Sequence, residues 1–517
     1  MKRVDLVDDV LLEIFSYLFG EDALNVVLTA KRLYPLALPR VFAELFCSCP
    51  TGKQLHPSVE LSSKGPDDHY RGYHWCNFSQ ASLIGDILLR ANRLQTLIMK
   101  RFQPCLDKDP RIGTALKSMT QLKDLRLYTV GDRTMTVLRA CQFDLDYLAL
   151  HYFGDADACP IPNERMTFGA LIPTLAAFRH LTEVALHSFV PKTALGDDFE
   201  VPLLPSALED DFEIPLLPSV RSLRLASCSP KALDLIELCP RLEDLWYSSG
   251  DARSAENSSH HGHRWPALRC LTMINHRDIP CVLSRIGPVE RVRFDQDTLI
   301  LYNGDKSPIT NLCDLLQLTS PAELSLQARA DNAPLDLGKL VSAAIPKLRV
   351  LSLKWSRSQR SSTREANKDW LSKLPGLLSP LQVSVVYLNL VNIEYKPKRP
   401  EIGMEILPHL PRRLAEAMPS LQYLAILDEV SRLGTLPLPG ADRNLSKEGD
   451  ASLDGADTTG TDRADEQKAG DNESLKCWRI VGGAEGKKLE RITWEEWVLA
   501  HSQAIWSVRK GEKLDGE

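Results

Sequence analysis

The sequence predicts an α/β chain built from a small N-terminal helical module, a long irregular βα solenoid, an acidic unstructured segment, and a closing β-hairpin and helix. Three observations predict it. Apolar residues near the N-terminus recur at helical spacing, a Leu-x-x-Leu-x-Leu pattern then returns a dozen times, and prolines punctuate the copies.

In the first segment Val7, Val10, Leu11, Ile14, Phe15 and Leu18 line one face of a helix. Leu24, Val27 and Leu28 make a short second helix after the break at Gly20-Glu21-Asp22. A module of roughly 45 residues struggles to bury enough surface to fold alone, so its apolar face is read as a docking surface. The order of Leu6, Asp9, Ile14, Leu18, Asp22, Leu24, Lys31 and Arg32 resembles the F-box, a three-helix module that binds the Skp adaptor of cullin-RING ubiquitin ligases. That family usually opens Leu-Pro-x-Glu, runs to Ile-x-x-x-Leu and later carries Val-Cys-Lys-Arg followed by an aromatic residue. Val7 stands in place of the proline that would start the helix, Thr29 in place of the valine and Leu33 in place of the aromatic. The resemblance implies adaptor contacts at Leu6, Val7, Val10, Ile14, Leu18, Leu24, Leu28 and Leu33.

The repeats begin with Leu94-Leu97, Leu122-Leu125-Leu127, Leu145-Leu148-Leu150, Leu181-Val184-Leu186, Val220-Leu223-Leu225 and Leu242-Leu245. They continue with Leu268-Leu271-Met273, Val289-Val292-Phe294, Leu324-Leu326, Leu348-Leu351-Leu353, Val385-Leu388-Leu390 and Leu421-Leu424-Ile426, at intervals of 21 to 39 residues. A leucine-rich repeat has a period of roughly 20–29 residues, so longer intervals are loop insertions. Pro218, Pro240, Pro266, Pro346 and Pro419 each stand two residues before a copy and stop the preceding helix. Residues 231–239 and 412–418 are such helices. The asparagine or cysteine expected after the last leucine is instead Phe102, Val130, Phe153 and Phe189, and only Cys228 keeps it. The chain thus resembles divergent F-box leucine-rich-repeat proteins, with an arc less regular than a uniform horseshoe.

Two segments interrupt the array. Residues 197–206 recur almost unchanged as 210–219, a tandem copy that lengthens one loop. Residues 434–474 hold ten acidic and four basic side chains and no aromatic, Met, Cys or β-branched aliphatic residue, so they are expected to be disordered. Beyond them, Cys477–Val481 and Leu489–Trp494 flank a Gly-rich turn as a hairpin, and Trp497, Val498, His501, Ile505 and Val508 fit a closing helix. These elements, with Trp478, Trp494, Trp497 and Trp506 as packing mass, would cap the last repeat. The expected domains are residues 1–50 (F-box-like), 51–92 (linker and entry), 93–433 (solenoid), 434–474 (acidic loop) and 475–517 (cap).

Composition narrows the function classes. A net charge of −6 and pI of about 6.1 argue against nucleic acid or an anionic membrane as main partner. No run is long enough to span a bilayer, and Asp5, Asp8 and Asp9 do not fit a signal peptide, so a cytoplasmic or nuclear location is expected. Twelve scattered cysteines suit reduced thiols. His260-His261-Gly262-His263 lacks a second ligand pair, Cys47-Ser48-Cys49 lacks a two-residue spacer, and Ile480-Val481-Gly482-Gly483 has no nucleophile motif beside it. No P-loop or dinucleotide fingerprint is present. No enzyme activity, cofactor or metal is expected.

Function then falls to the sheet face opposite the leucines. Strand alternation places there Arg126, Tyr128, Ala149, His151, His187, Arg224, Trp246, Thr272, Arg293, Ser352, Lys354 and Asn389. Arg126, Tyr128, His151, Arg224 and Trp246 are the expected substrate-binding stripe, since Arg and aromatics dominate interface hot spots. The family resemblance implies a substrate-recognition subunit of a Skp-cullin-F-box ubiquitin ligase, bound through Skp to a cullin-RING ligase and holding a protein substrate. The rival is a non-catalytic repeat scaffold or inhibitor with no ubiquitin role.

Overall fold

The computed structural model describes residues 44–47, 81–91, 94–152, 168–190, 215–250, 265, 267–274, 276–295, 307–329, 347–356, 364–391, 409–428, 475–483 and 486–510. The predicted adaptor-binding residues Leu6, Val7, Val10, Ile14, Leu18, Leu24, Leu28 and Leu33 lie outside them, as do Phe153, the His260–His263 run, most of the 197–219 duplication and all of 434–474. The protein is mixed α/β and divides into two compact units, Met1–Val289 and Glu290–Glu517.

In the first unit the strands are β1 (Glu44–Cys47), β2 (Thr96–Met99), β3 (Asp124–Tyr128), β4 (Tyr147–His151), β5 (Glu183–His187), β6 (Ser222–Cys228), β7 (Asp244–Ser249) and β8 (Cys270–Met273). Each pairs in parallel with the next in chain order. Parallel neighbours need a crossover, and the described crossovers are helical. They are α1 (Ala81–Arg90), α2 (Phe102–Lys108), α3 (Arg111–Ser118), α4 (Asp132–Arg139), α5 (Phe168–Ala176), a 3₁₀ stretch Pro230–Leu238 and, after β8, α6 (Ile279–Leu283). The predicted helix at 231–239 is therefore 3₁₀: Pro230 opens it and the Ser229 hydroxyl accepts from the Lys231 N–H at 3.3 Å.

The register explains why the leucines recur. Pairing aligns Leu97, Leu125, Leu148, Val184, Leu223, Leu245 and Leu271 into one row across seven strands. A second row holds Met99, Leu127, Leu150, Leu186, Leu225, Tyr247 and Met273. No member of either row is more than 2% exposed. At roughly 1.5–3 kcal/mol for each large apolar side chain buried, these rows are a substantial part of the unit's core.

The chain leaves successive strands through the same corner. Arg101, Thr129, Ser188 and Ser227 all have left-handed φ, between 51° and 58°, and each precedes one of the expected Asn/Cys positions. The following residues, Phe102, Val130, Phe189 and Cys228, are buried at 4% exposure or less. Cys228 supplies a single polar rung, its thiol donating to the Leu186 and Ala226 carbonyls at 3.3 Å. Elsewhere backbone bonds link the corners, such as Gln103 N–H to Thr129 O at 3.0 Å and Ser229 N–H to Phe189 O at 3.0 Å.

The second unit contains β9 (Arg291–Phe294), α7 (Ser307–Thr319), β10 (Glu323–Arg329), β11 (Val350–Ser356), α8 (Arg364–Leu378), β12 (Val385–Val391), α9 (Leu410–Ala417) and β13 (Tyr423–Asp428). These strands are parallel, and β14 (Leu475–Gly483) with β15 (Gly486–Ile492) then adds an antiparallel hairpin to β13. The expected helix at 412–418 is α9, which starts with Pro411 in its first turn. Lys487 of β15 donates to the Met418 and Pro419 carbonyls at 2.7 and 2.8 Å, satisfying the end of that helix.

One repeat is read two residues too late from sequence. Pairing sets Val386 and Leu388, not Leu388 and Leu390, beside Leu351 and Leu353 and beside Leu424 and Ile426. Val385 instead faces the other side of the sheet. That side is covered by α10 (Trp494–Lys510), which starts from a capping box between Thr493 and Glu496. Trp497 and Ala504 pack there with Val350, Val385, Ala425 and Cys477. The hairpin covers the sheet edge as expected, but the helix lies on the face.

Candidate binding face of the first unit

Strand alternation and parallel register together put three rows on the side away from the leucines. The middle row runs Arg126, Ala149, Ala185, Arg224, Trp246 and Thr272. Toward the strand ends lie Tyr128, His151, His187 and Ala226, and toward the strand starts lie Asp124, Tyr147, Glu183, Ser222 and Asp244.

Three rings form a ladder across β3, β4 and β5. Tyr128 stacks on His151 with centroids 3.8 Å apart, and His151 stacks on His187 at 3.7 Å. Burial, with His187, Arg224 and Arg126 nearby, pushes His151 down to about 3. Burial and Arg224 push His187 down to about 4. Both imidazoles are therefore neutral at physiological pH, and the ladder carries no charge of its own.

The two arginines differ. Arg126 forks onto Asp124, Nε to Oδ1 at 3.0 Å and Nη2 to Oδ2 at 2.7 Å, and its guanidinium lies 4.8 Å from the Tyr147 ring centre. Arg224 stands 4.3 Å over the Trp246 ring and has no carboxylate partner among the described residues. Between these arginines the middle row drops to Ala149 and Ala185, which are buried at 2% and 1% exposure.

The structure thus brings Arg126, Tyr128, His151, Arg224 and Trp246 onto one face. His151 itself is buried at 9% exposure and acts as the middle of the ladder instead of an open contact. Tyr147, Asp124 and the third ring, His187, were not among the stripe residues expected from sequence. Arg293 belongs to the second unit and is neutralised there by Glu323 at 2.8 Å. What this face offers is flat aromatic surface and, among the described residues, a guanidinium with no carboxylate partner, which suits binding.

Among the described residues no group of three or more His, Cys, Asp or Glu is placed to hold a metal ion. Among the described residues Cys105, Cys141, Cys228, Cys239, Cys270, Cys281, Cys313 and Cys477 are free thiols. Burial raises Cys141, Cys228 and Cys239 to about 12, so these thiols are poor nucleophiles. No described helix is long and apolar enough to cross a membrane. The fold and this face define an α/β protein with a polar-aromatic sheet surface on its first unit. The chain matches no known protein family and no curated protein.

Proposed function

We propose that this chain is a substrate-recognition subunit of a Skp-cullin-F-box type ubiquitin ligase, with leucine-rich repeats forming its sheet and a target protein held on the first unit's polar-aromatic face. The observation that carries the binding half is the pairing of aligned, buried leucine rows on one side with Arg126, Tyr128, Arg224 and Trp246 on the other. The adaptor half rests on the residue order from Leu6 to Arg32. The chain itself is non-catalytic in this proposal. It raises the effective concentration of a target lysine near a ubiquitin-loaded enzyme, so the rate gain is one of proximity.

A pull-down of the full chain with purified Skp adaptor tests it, beside an Ile14→Asp/Leu18→Asp variant. Two carboxylates on the apolar face abolish a helix-in-groove contact, so wild-type capture that the variant loses is the expected result. A folded wild type that leaves the adaptor unbound defeats the ligase assignment and leaves a repeat scaffold.

A further inference from the structure

The helix layer of the first unit begins at α1, and one flank of that helix is apolar and uncovered. The other flank carries α3 and the turn before it. Arg111 donates to Asp86 at 2.8 Å and to the Ser82 carbonyl at 3.2 Å, and a Cβ on Gly85 would meet Asp109 Oδ2 at 2.9 Å. Ala81 and Leu88 face inward and are buried. With 3.6 residues per turn, Ile84 and Ile87 then point away from α3, and Leu83 stands at their outer edge. Leu83 is 56% exposed and Ile87 38%. In a repeat array this flank is where the helix of the preceding repeat packs, as α3 packs on the opposite one.

The edge strand identifies the segment that belongs there. Pairing of β1 with β2 sets Leu45 beside Leu97 and Cys47 beside Met99. Phe42-x-x-Leu45-x-Cys47 therefore repeats Leu94-x-x-Leu97-x-Met99, one copy earlier than the pattern read from sequence. The helix of such a copy precedes its strand, as α1 precedes β2 and α3 precedes β3. Residues 91–95 and 119–123 are the two connections, five residues each. The same connection before Glu44 ends a helix at Leu38. Pro35 then stands three residues before that end. Pro173 and Pro375 hold the same place in α5 and α8, three residues before Ala176 and Leu378.

From this juxtaposition we infer that residues 30–38 form the helix of a first repeat and dock on the Ile84–Ile87 flank of α1. Leu33, Leu36 and Leu38 supply the apolar side chains. The N-terminal module is thereby joined to the solenoid through packing as well as through the chain. The inference does not rest on the ligase assignment, since Leu33 alone of the implied adaptor contacts falls in the docked segment.

The test labels two variants of the full chain, Ile87→Cys and Leu89→Cys, with N-ethylmaleimide and follows the α1 peptide by mass spectrometry. No native cysteine lies in α1. Leu89 is 43% exposed and lies toward α3, so it serves as the open reference on the same helix. Docking should slow labelling of the Ile87→Cys thiol at least tenfold relative to Leu89→Cys. Adding Leu36→Asp and Leu38→Asp should restore the faster rate, while Leu499→Asp, an exposed apolar residue elsewhere, should leave the protection intact. Equal rates at the two positions overturn the inference. So does protection that survives the Leu36 and Leu38 substitutions, which assigns the cover to another segment, or protection that fades on dilution, which assigns it to a second copy. The adaptor pull-down decides the ligase assignment separately from all of these outcomes.

Discussion

The non-leucine faces of the two units have met different fates. In the second unit the chain's own α10 closes the part of the face around Val350, Val385, Ala425 and Cys477, while Arg293, Ser352, Lys354 and Asn389 share that side of the sheet. In the first, the same alternation presents arginine, tyrosine and tryptophan, and among the described residues nothing lies over them. A sheet built from one repeating pattern thus carries a helix over valine, alanine and cysteine in the second unit, and an aromatic-cationic cluster beside buried alanines in the first.

The largest expected effect contrasts one substitution in both places. Trp497 is 5% exposed and touches Tyr387, Trp494 and His501. Trp497→Ala should cost about 3–5 kcal/mol, as deletion of a buried aromatic does. Trp246 is half-buried and holds Arg224 by a cation–π contact, so Trp246→Ala should cost only about 0.5–1 kcal/mol. Denaturant midpoints measured on both variants decide it. Equal losses would mean that the first unit's face is as much a core as the second's.

Acid should separate the faces next. His151 and His187 have folded values of about 3 and about 4, below the ordinary imidazole value near 6.5. Their neutral forms cost nothing above that ordinary value. As pH falls below it, the unfolded chain takes up protons that the folded chain refuses, and stability drops until the folded values are reached. Two such groups give a slope of up to about 2.7 kcal/mol per pH unit near pH 5. His501 is also depressed, chiefly by burial, with Glu323 opposing the shift and Arg293 and Arg291 adding to it. Replacing both ladder histidines with leucine should flatten the pH dependence of urea unfolding between about pH 6.5 and 4. An unchanged slope would show that the ring ladder opens without cost.

Much of this was legible because period and burial agree. The later positions of the copies from Leu125 to Met273 fall on the two buried rows, and in most of them a polar or aromatic residue between the row members fixes the alternation. The copy near 385 slipped because Val383, Val385, Val386, Leu388 and Leu390 are all apolar, and a run without contrast has no visible phase. That uniformity was itself the sign that β12 is covered on both sides. The seat of α10 was hidden by chain order, which suggests an end cap. The ring ladder joins residues separated by long insertions, so no local pattern reveals it. Nor does composition mark the left-handed corners, where arginine, threonine and serine do what glycine usually does.

The finest test of the contrast exchanges one arginine in each unit for glutamine. Arg293 binds Glu323, whose side chain is only 4% exposed and whose Oε2 already lacks a partner. Arg293→Gln leaves that carboxylate buried with its charge uncompensated. Because Arg293 itself is 40% exposed, solvent softens the loss to about 1–2 kcal/mol. Arg224 pairs with no carboxylate among the described residues, so Arg224→Gln should change stability by less than about 0.5 kcal/mol. The same substitution that weakens the second unit should therefore leave the first unit standing. If Arg224→Gln instead destabilises as much as Arg293→Gln, the guanidinium supports the fold. It would then be unavailable to a partner, and the face would lose the one charge that distinguishes it.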